Sequence, residues 1–222
     1  ATEEAVQIES GTRDQASSPL WHAERQGRIT ASKFGEVCKA TQRKDMEALA
    51  RSLLFPPQLK GAAIMHGRQY ERVAIENFEK RHGVTVIKCG LTIHEDHPML
   101  AASPDGVLDS DTLIEVKCPY SSFNKKISPA TVPYLQEQNG DLTLARTHDY
   151  HYQIQGQLYC AKKSLCKFIV FTGKDIVIID IRRDDQFIRD MLEKLQTFYD
   201  SFFKQPIIQY FFYKQTGQYK FE

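Results

Sequence analysis

The apolar positions of the 222-residue chain change their period several times, and each change marks an element. Residues 1–16 are polar and aperiodic, which predicts a flexible N-terminal arm and leaves residues 17–222 to form a single domain. Ser18-Pro19 has the form of a helix cap followed by proline at the first helical position, starting a short helix that Gly27 stops. Thr30 can cap a second helix carrying Phe34, Val37 and Cys38. A third covers 46–54 before Pro56-Pro57, and a long one covers 61–82 before Gly83. Strands are predicted at 84–88, 91–94, 107–108 and 113–117, separated by turn residues such as Asp105-Gly106 and Ser110-Asp111. Ser128-Pro129 predicts a further helix start. Residues 150–163 then read as a helix, 167–172 and 176–181 as strands, and 185–203 as an amphipathic helix. The order of helices, strand cluster, helix, strands and helix predicts an α/β fold with a mixed central sheet flanked by helices.

Composition narrows this little. The chain is 41% hydrophobic and 26% charged, as globular proteins commonly are. With 29 basic and 28 acidic residues its net charge is +1, which leaves room for a small basic surface beside an acidic site. Cys38, Cys89, Cys118, Cys160 and Cys166 form no C-x-x-C pair, are odd in number and follow no leader-like stretch; the expectation is free thiols in an intracellular, non-secreted protein. No apolar run approaches the roughly 20 residues that cross a bilayer.

The chemistry lies in acidic residues placed where apolar ones belong. Within the 61–82 helix, Glu71 shares a face with Ile64, Ile75 and Phe78. A wet stripe edge or an arginine partner would account for it alone, since a lone buried carboxylate is costly. In Leu113-Ile114-Glu115-Val116-Lys117-Cys118, the alternation points Glu115 and Lys117 to one face and Ile114, Val116 and Cys118 to the other. A sheet with one solvated side would look the same. The preceding turn, Ser103-Pro104-Asp105-Gly106, returns Asp105 towards Glu115, gathering two carboxylates and an amine. Close carboxylates repel unless a cation lies between them, and an all-oxygen cluster suits Mg²⁺, with Mn²⁺ able to substitute.

The P-D-x9-E-x-K arrangement resembles the PD-(D/E)XK nuclease signature. From Trp21 to about residue 165 the chain looks like the YqaJ viral-recombinase family, which includes the phage lambda exonuclease. The matching blocks are Trp21-His22-x-x-Arg25-x-Gly27 with Ile29-Thr30-Ala31-Ser32; Gly67-x-x-Tyr70-Glu71; Ser103-Pro104-Asp105-Gly106; Glu115-Val116-Lys117-Cys118-Pro119; and the run Tyr152 to Tyr159. The resemblance implies a restriction-endonuclease-like core, with Asp105, Glu115 and the Val116 carbonyl holding Mg²⁺ and Glu71 completing the site. It implies Lys117 as an orienting and electrostatic group, and Gln155 and Tyr159 as a Q-x-x-x-Y pair with the glutamine near metal and phosphate. Arg25, Ser32 and Ser103 would bind the 5′-phosphate of the strand being digested. The implied activity is 5′-to-3′ exonuclease action on ends of double-stranded DNA, leaving 3′ tails for recombination. Relatives often act as ring-shaped homotrimers and cooperate with a strand-annealing protein. An endonuclease or flap nuclease of the same fold, and a non-catalytic DNA-end binder, remain open readings.

Other features are assigned plainer roles. With Gln153 and Gln157 nearby, a solvated glutamine-rich face is the alternative to a role for Gln155, and Trp21 reads as a core anchor. His148, Asp149 and His151 read as helix-start residues rather than a transition-metal site. Lys125, Lys126, Lys162 and Lys163 are plausible contacts to a DNA backbone. Tyr210, Phe211, Phe212 and Tyr213 read as packing or subunit contact.

Overall fold

In the computed structural model, residues 2–41, 43–57 and 61–217 are described. The first part of the chain holds α1 (Glu3–Gly11), α2 (Pro19–Arg25), β1 (Ile29–Thr30), α3 (Ala31–Cys38) and α4 (Met46–Leu54). The long α5 (Ala62–His82) leads into β2 (Thr92–Ile93), β3 (Leu100–Ala102), β4 (Gly106–Val107) and β5 (Thr112–Lys117). A hairpin of β6 (Leu135–Gln138) and β7 (Asp141–Leu144) follows, then α6 (Asp149–Cys160), β8 (Leu165–Phe171), β9 (Ile176–Arg182), α7 (Asp185–Phe198) and α8 (Lys204–Thr216).

The central sheet runs β4-β5-β8-β9. β5 lies parallel to β8, while β4 and β9 are antiparallel to their neighbours. A smaller sheet, β1-β3-β2, is also mixed. β5 is covered on both sides. Leu113 packs with Ile154 and Leu158 of α6, while Ile114 and Val116 pack with Ala74 and Phe78 of α5. Each such side chain, fully removed from water, contributes about 1.5–3 kcal/mol. The consequence for chemistry is direct: Glu115 and Lys117 lie on the α6 side, and α6 takes the place of the solvent expected there. A Cβ on Gly156 would stand 2.5 Å from the Phe34 ring, so only glycine lets α6 approach α3 this closely.

Three expectations are corrected. Residues read as a flexible arm form α1, capped by Thr2 and anchored by Ile8 against Leu91 and Ala101. Its end docks on Gly90, whose N–H donates to Glu9, and Leu91 N–H donates to Thr12 Oγ1 at 2.7 Å. A side chain at Gly90 would collide with the Glu9 carbonyl, so the glycine is required by the contact. One buried isoleucine gives no period, which is why the helix is silent in the sequence.

The helix expected after Ser128-Pro129 is a single turn held by Thr131, followed by the β6–β7 hairpin. Asn139 and Gly140, both at positive φ, make its turn; Asn-Gly was the signal for it. The strand expected at 84–88 reduces to one bridge between Ile87 and Val107. Helix 185–203 holds, with its last five residues widened into a π-turn at Tyr199–Phe203, and the aromatic tail continues as α8.

Candidate active site

Asp105 stands at the start of β4, where its own N–H donates to the Ile114 carbonyl of β5. Its Oδ2 accepts from Val116 N–H at 2.7 Å, so the turn and the strand fix it through two bonds. Glu115 is 1% exposed and accepts on both oxygens. Lys117 Nζ lies 2.6 Å from Oε1, Gln153 Nε2 donates to the same oxygen at 2.7 Å, and Gln157 Nε2 donates to Oε2 at 2.7 Å. Lys117 also reaches Gln153 Oε1 at 3.3 Å and lies over the Tyr150 ring. Gln157 Oε1 is buried without a hydrogen-bond partner.

Glu71 enters from α5, on the other side of the sheet, and shares a cleft of about 660 Å³ with Asp105. Burial raises the Glu71 carboxyl above its ordinary range, with Glu115 adding to the effect. Burial, Glu115 and Glu71 together raise Asp105 well above its own range. For Lys117, burial works against the charge, but Glu115 and Asp105 prevail and hold it protonated. As an ammonium it can orient a reacting group and stabilise negative charge.

Three carboxyls thus lie close enough to repel, Glu115 helping to raise both Glu71 and Asp105, and Glu115 alone among them pairs with the Lys117 ammonium. A hard divalent cation would reverse the sign of that repulsion, and the donors are all oxygen. The orphaned Gln157 oxygen is one more unsatisfied acceptor at the same place. Among the described residues no three His, Cys, Asp or Glu side chains stand as a finished metal cage. Glu115 is turned onto Lys117 and the two glutamines, yet a carboxylate has lone pairs to spare beyond those bonds. Oxygen donors are the kind Mg²⁺ takes, and Asp105 and Glu115 are the residues that would hold it, with Glu71 in the same cleft as Asp105.

The glutamine expectation is corrected. Gln155 points away from the acids: its Nε2 donates to the Arg182 carbonyl and its Oε1 accepts from Asp184 N–H, both at 2.9 Å. Tyr159 is engaged elsewhere, its hydroxyl 2.7 Å from His97 Nδ1 and its ring stacked on His94 at 4.1 Å. Gln153 and Gln157, whose presence in the sequence suggests only a solvated face as the alternative for Gln155, are the glutamines that meet Glu115. Their spacing of four was as visible as that of Gln155 and Tyr159, but only the packing of α6 decides which face meets β5.

The residues expected to bind phosphate gather nearby. Arg25 stacks on Trp21 at 4.0 Å and donates to Thr30 Oγ1, which lies 3.4 Å from Ser32 Oγ. Trp21 Nε1 donates to Ser103 Oγ at 2.8 Å, linking this cluster to the turn that carries Asp105. Trp21 is thus more than a core anchor, since it bridges the two groups. Arg25, Arg28, Thr30 and Lys33 line a pocket of about 300 Å³, and burial lowers the Arg25 guanidinium to about 10. Thr30 makes no side-chain cap to α3, whose first amides are left without that bond.

One contributor had no signal in the sequence. Gln15, at φ 44°, donates from Nε2 to the carbonyls of Cys89 and Pro104 at 2.9 and 2.8 Å, bracing the Asp105 turn from the N-terminal segment.

Of the remaining candidates, His148 caps α6 by accepting from Tyr150 N–H, and His151 packs on Phe187. Lys162 pairs with Glu95 on the surface.

Comparison with known proteins places this geometry. A family model described as the YqaJ-like viral recombinase domain matches residues 20–164. The alkaline nuclease of Orgyia pseudotsugata multicapsid polyhedrosis virus is 27% identical over 84% of the chain and 48% of its own length. The chain therefore spans about half of that relative. The solved alkaline exonuclease from Laribacter hongkongensis covers 90% of the chain and 98% of its own, with a TM-score of 0.67 and 24% identity. The shutoff and exonuclease protein of Kaposi's sarcoma-associated herpesvirus covers 88% and 71%, with a TM-score of 0.58 and 12% identity. At such identities the likeness is one of fold, the restriction-endonuclease-like arrangement of a mixed sheet between helices. Because the family match spans both the Arg25 cluster and the acids of β4 and β5, the chain belongs to the YqaJ-like viral recombinase domain family.

Proposed function

We propose that this protein is a magnesium-dependent deoxyribonuclease that digests one strand of duplex DNA from a 5′ end, leaving 3′ single-stranded tails for recombination. The observation that carries the reading is the pairing of Glu115 with Lys117 at 2.6 Å beside Asp105, which is held on Val116 N–H, with Glu71 in the same cleft as Asp105. The names of similar proteins, an alkaline nuclease and two exonucleases, support hydrolysis of nucleic acid. A structural neighbour solved as a complex with DNA supports DNA as the partner.

Asp105 and Glu115 would hold the metal, with Mn²⁺ able to replace Mg²⁺. A divalent ion in that position supplies charge neutralisation at the scissile phosphate and lowers the pKa of bound water. The chain's own groups do the rest. Lys117 offers a compact positive charge to the developing negative charge on phosphorus-bound oxygen. Gln153 and Gln157 hold Glu115 by donation, which keeps its carboxylate in one orientation. Arg25, with Ser32 and through Trp21 with Ser103, receives a terminal phosphate, which accounts for action from a 5′ end.

Duplexes labelled separately at each end, digested with and without Mg²⁺, test this reading. Mononucleotides should leave the 5′ end first, only with metal, while covalently closed circles stay intact. Lys117→Ala and Asp105→Asn should each lower the rate by on the order of a hundredfold or more while DNA is still bound. Undiminished digestion by either pure variant would falsify the assignment, and cleavage of circles would replace exonuclease with endonuclease.

A further inference from the structure

Lysine carries its charge on a flexible four-carbon stem, and holding that charge in one place needs partners on several sides. Two partners of Lys117 are polar: Glu115 Oε1 at 2.6 Å and Gln153 Oε1 at 3.3 Å. The third is a ring. The Lys117 Nζ stands 4.5 Å from the centroid of Tyr150, within the range where an ammonium is drawn to the negative face of an aromatic.

The placement of this ring is built into α6. Tyr150 precedes Gln153 by three residues and Gln157 by seven, so all three share the helix face turned to β5. The ring is itself held edge-on by His148 at 4.6 Å and by Tyr134 at 5.0 Å, with Phe168 of β8 behind at 6.3 Å. Tyr150 N–H donates to His148 Nδ1, which fixes the backbone at the start of the helix. A leucine would fill much of this apolar box, but it has no π-face to offer a cation.

We infer that Tyr150 is a positioning residue whose ring face holds the Lys117 ammonium beside Glu115, so that the amine meets the scissile phosphate in a fixed place. The inference rests on the nuclease reading for its consequence, but the contact itself can be tested without turnover. An ammonium with three N–H groups, two of them bonded to Glu115 and Gln153, keeps one for substrate or water. Release of the ring would return rotamer freedom to the stem and blur that last donor.

Tyr150→Phe keeps the ring face and removes only the hydroxyl; Tyr150→Leu removes the face. In proton–carbon spectra of the full chain without DNA or metal, the Lys117 ε-methylene should lie upfield of other lysines in the parent and in Tyr150→Phe. In Tyr150→Leu that displacement should vanish, with Lys117→Arg identifying the signal. In digestion, Tyr150→Leu should lose about tenfold in kcat with KM for duplex DNA unchanged, while Tyr150→Phe stays near the parent. A merely structural tyrosine would shift the melting temperature and spare this split. Absence of the upfield signal in the parent overturns the inference, as does equal turnover in Leu and parent, or a Phe variant as slow as Leu. If the parent itself leaves DNA intact, the nuclease reading fails while the spectrum still decides the contact.

Discussion

Arg25 holds a positive charge under a tryptophan, with no ion pair to an acid among the described residues. Burial lowers its guanidinium to about 10, so the protein bears the cost of hiding a cation and offers it no carboxylate. An incoming anion resolves that imbalance, and a bidentate phosphate suits the guanidinium fork. Arg25→Ala should therefore reduce the preference for a 5′-phosphate over a 5′-hydroxyl by roughly tenfold to a hundredfold, as the loss of charge-assisted hydrogen bonds implies. The ratio of digestion rates on the two ends measures it, and an unchanged ratio removes the phosphate role from Arg25 even if digestion is intact. Glu115 presents the opposite case. It is buried, but Lys117, Gln153 and Gln157 donate to its two oxygens, so its hydrogen-bonding needs are met within the protein.

At the scale of elements, α6 is the part that divides chemistry from architecture. One face carries Tyr150, Gln153 and Gln157 to β5; another carries Gln155 to the end of β9 and the start of α7. Gln153→Ala should slow digestion by at least about tenfold, because Glu115 and Lys117 lose the partner they share. Lys117 and Gln157 still donate to the buried Glu115, which limits the loss of stability to about 1 kcal/mol. Gln155→Ala should do the reverse, lowering stability by about 1–3 kcal/mol because it strands the Arg182 carbonyl and the Asp184 N–H. Rates and unfolding curves on the two variants separate the roles, and a dead but stable Gln155→Ala would return that residue to the active site. The first helix makes a similar point about position. Through Gln15, the segment after α1 holds the carbonyl of Pro104, next to Asp105.

For the molecule as a whole, the raised carboxyls tie stability to pH. Asp105 and Glu71 stand above their ordinary values of 3.8 and 4.5, so the folded state holds protons more tightly than the unfolded chain. Their stabilising contribution is complete below those ordinary values and is lost as pH climbs through the raised ones. A bound cation has the opposite preference, since it favours the ionised carboxylates. Without metal, the melting temperature should fall from mildly acidic to mildly alkaline pH by the share these groups carry. Mg²⁺ at about a hundred times its Kd should raise it by roughly 5–10 °C at pH 8 and by less at pH 5.5. Asp105→Asn should abolish most of that increment. Equal melting curves with Mg²⁺ and with a chelator at pH 8 would count decisively against a metal held by these acids. No helix among the described residues is long and apolar enough to cross a membrane.

How much of this was legible depends on what each residue needs around it. Local chemistry was enough for the Asp105 turn, for the alternation of Glu115 and Lys117 and for the long helix bearing Glu71, because turns, strand period and caps are properties of short segments. The grouping of Arg25, Ser32 and Ser103 came from resemblance, and Trp21 proved to be the physical link between them. Three things needed the folded chain. A single buried isoleucine docks α1 without any period, the Asn139–Gly140 hairpin replaced an expected helix, and the rotation of α6 chose Gln153 and Gln157 over Gln155. A helix written with glutamine at 153, 155 and 157 presents the residue to two opposite sides; only packing against β5, with Gly156 pressed on Phe34, decides which side becomes the site.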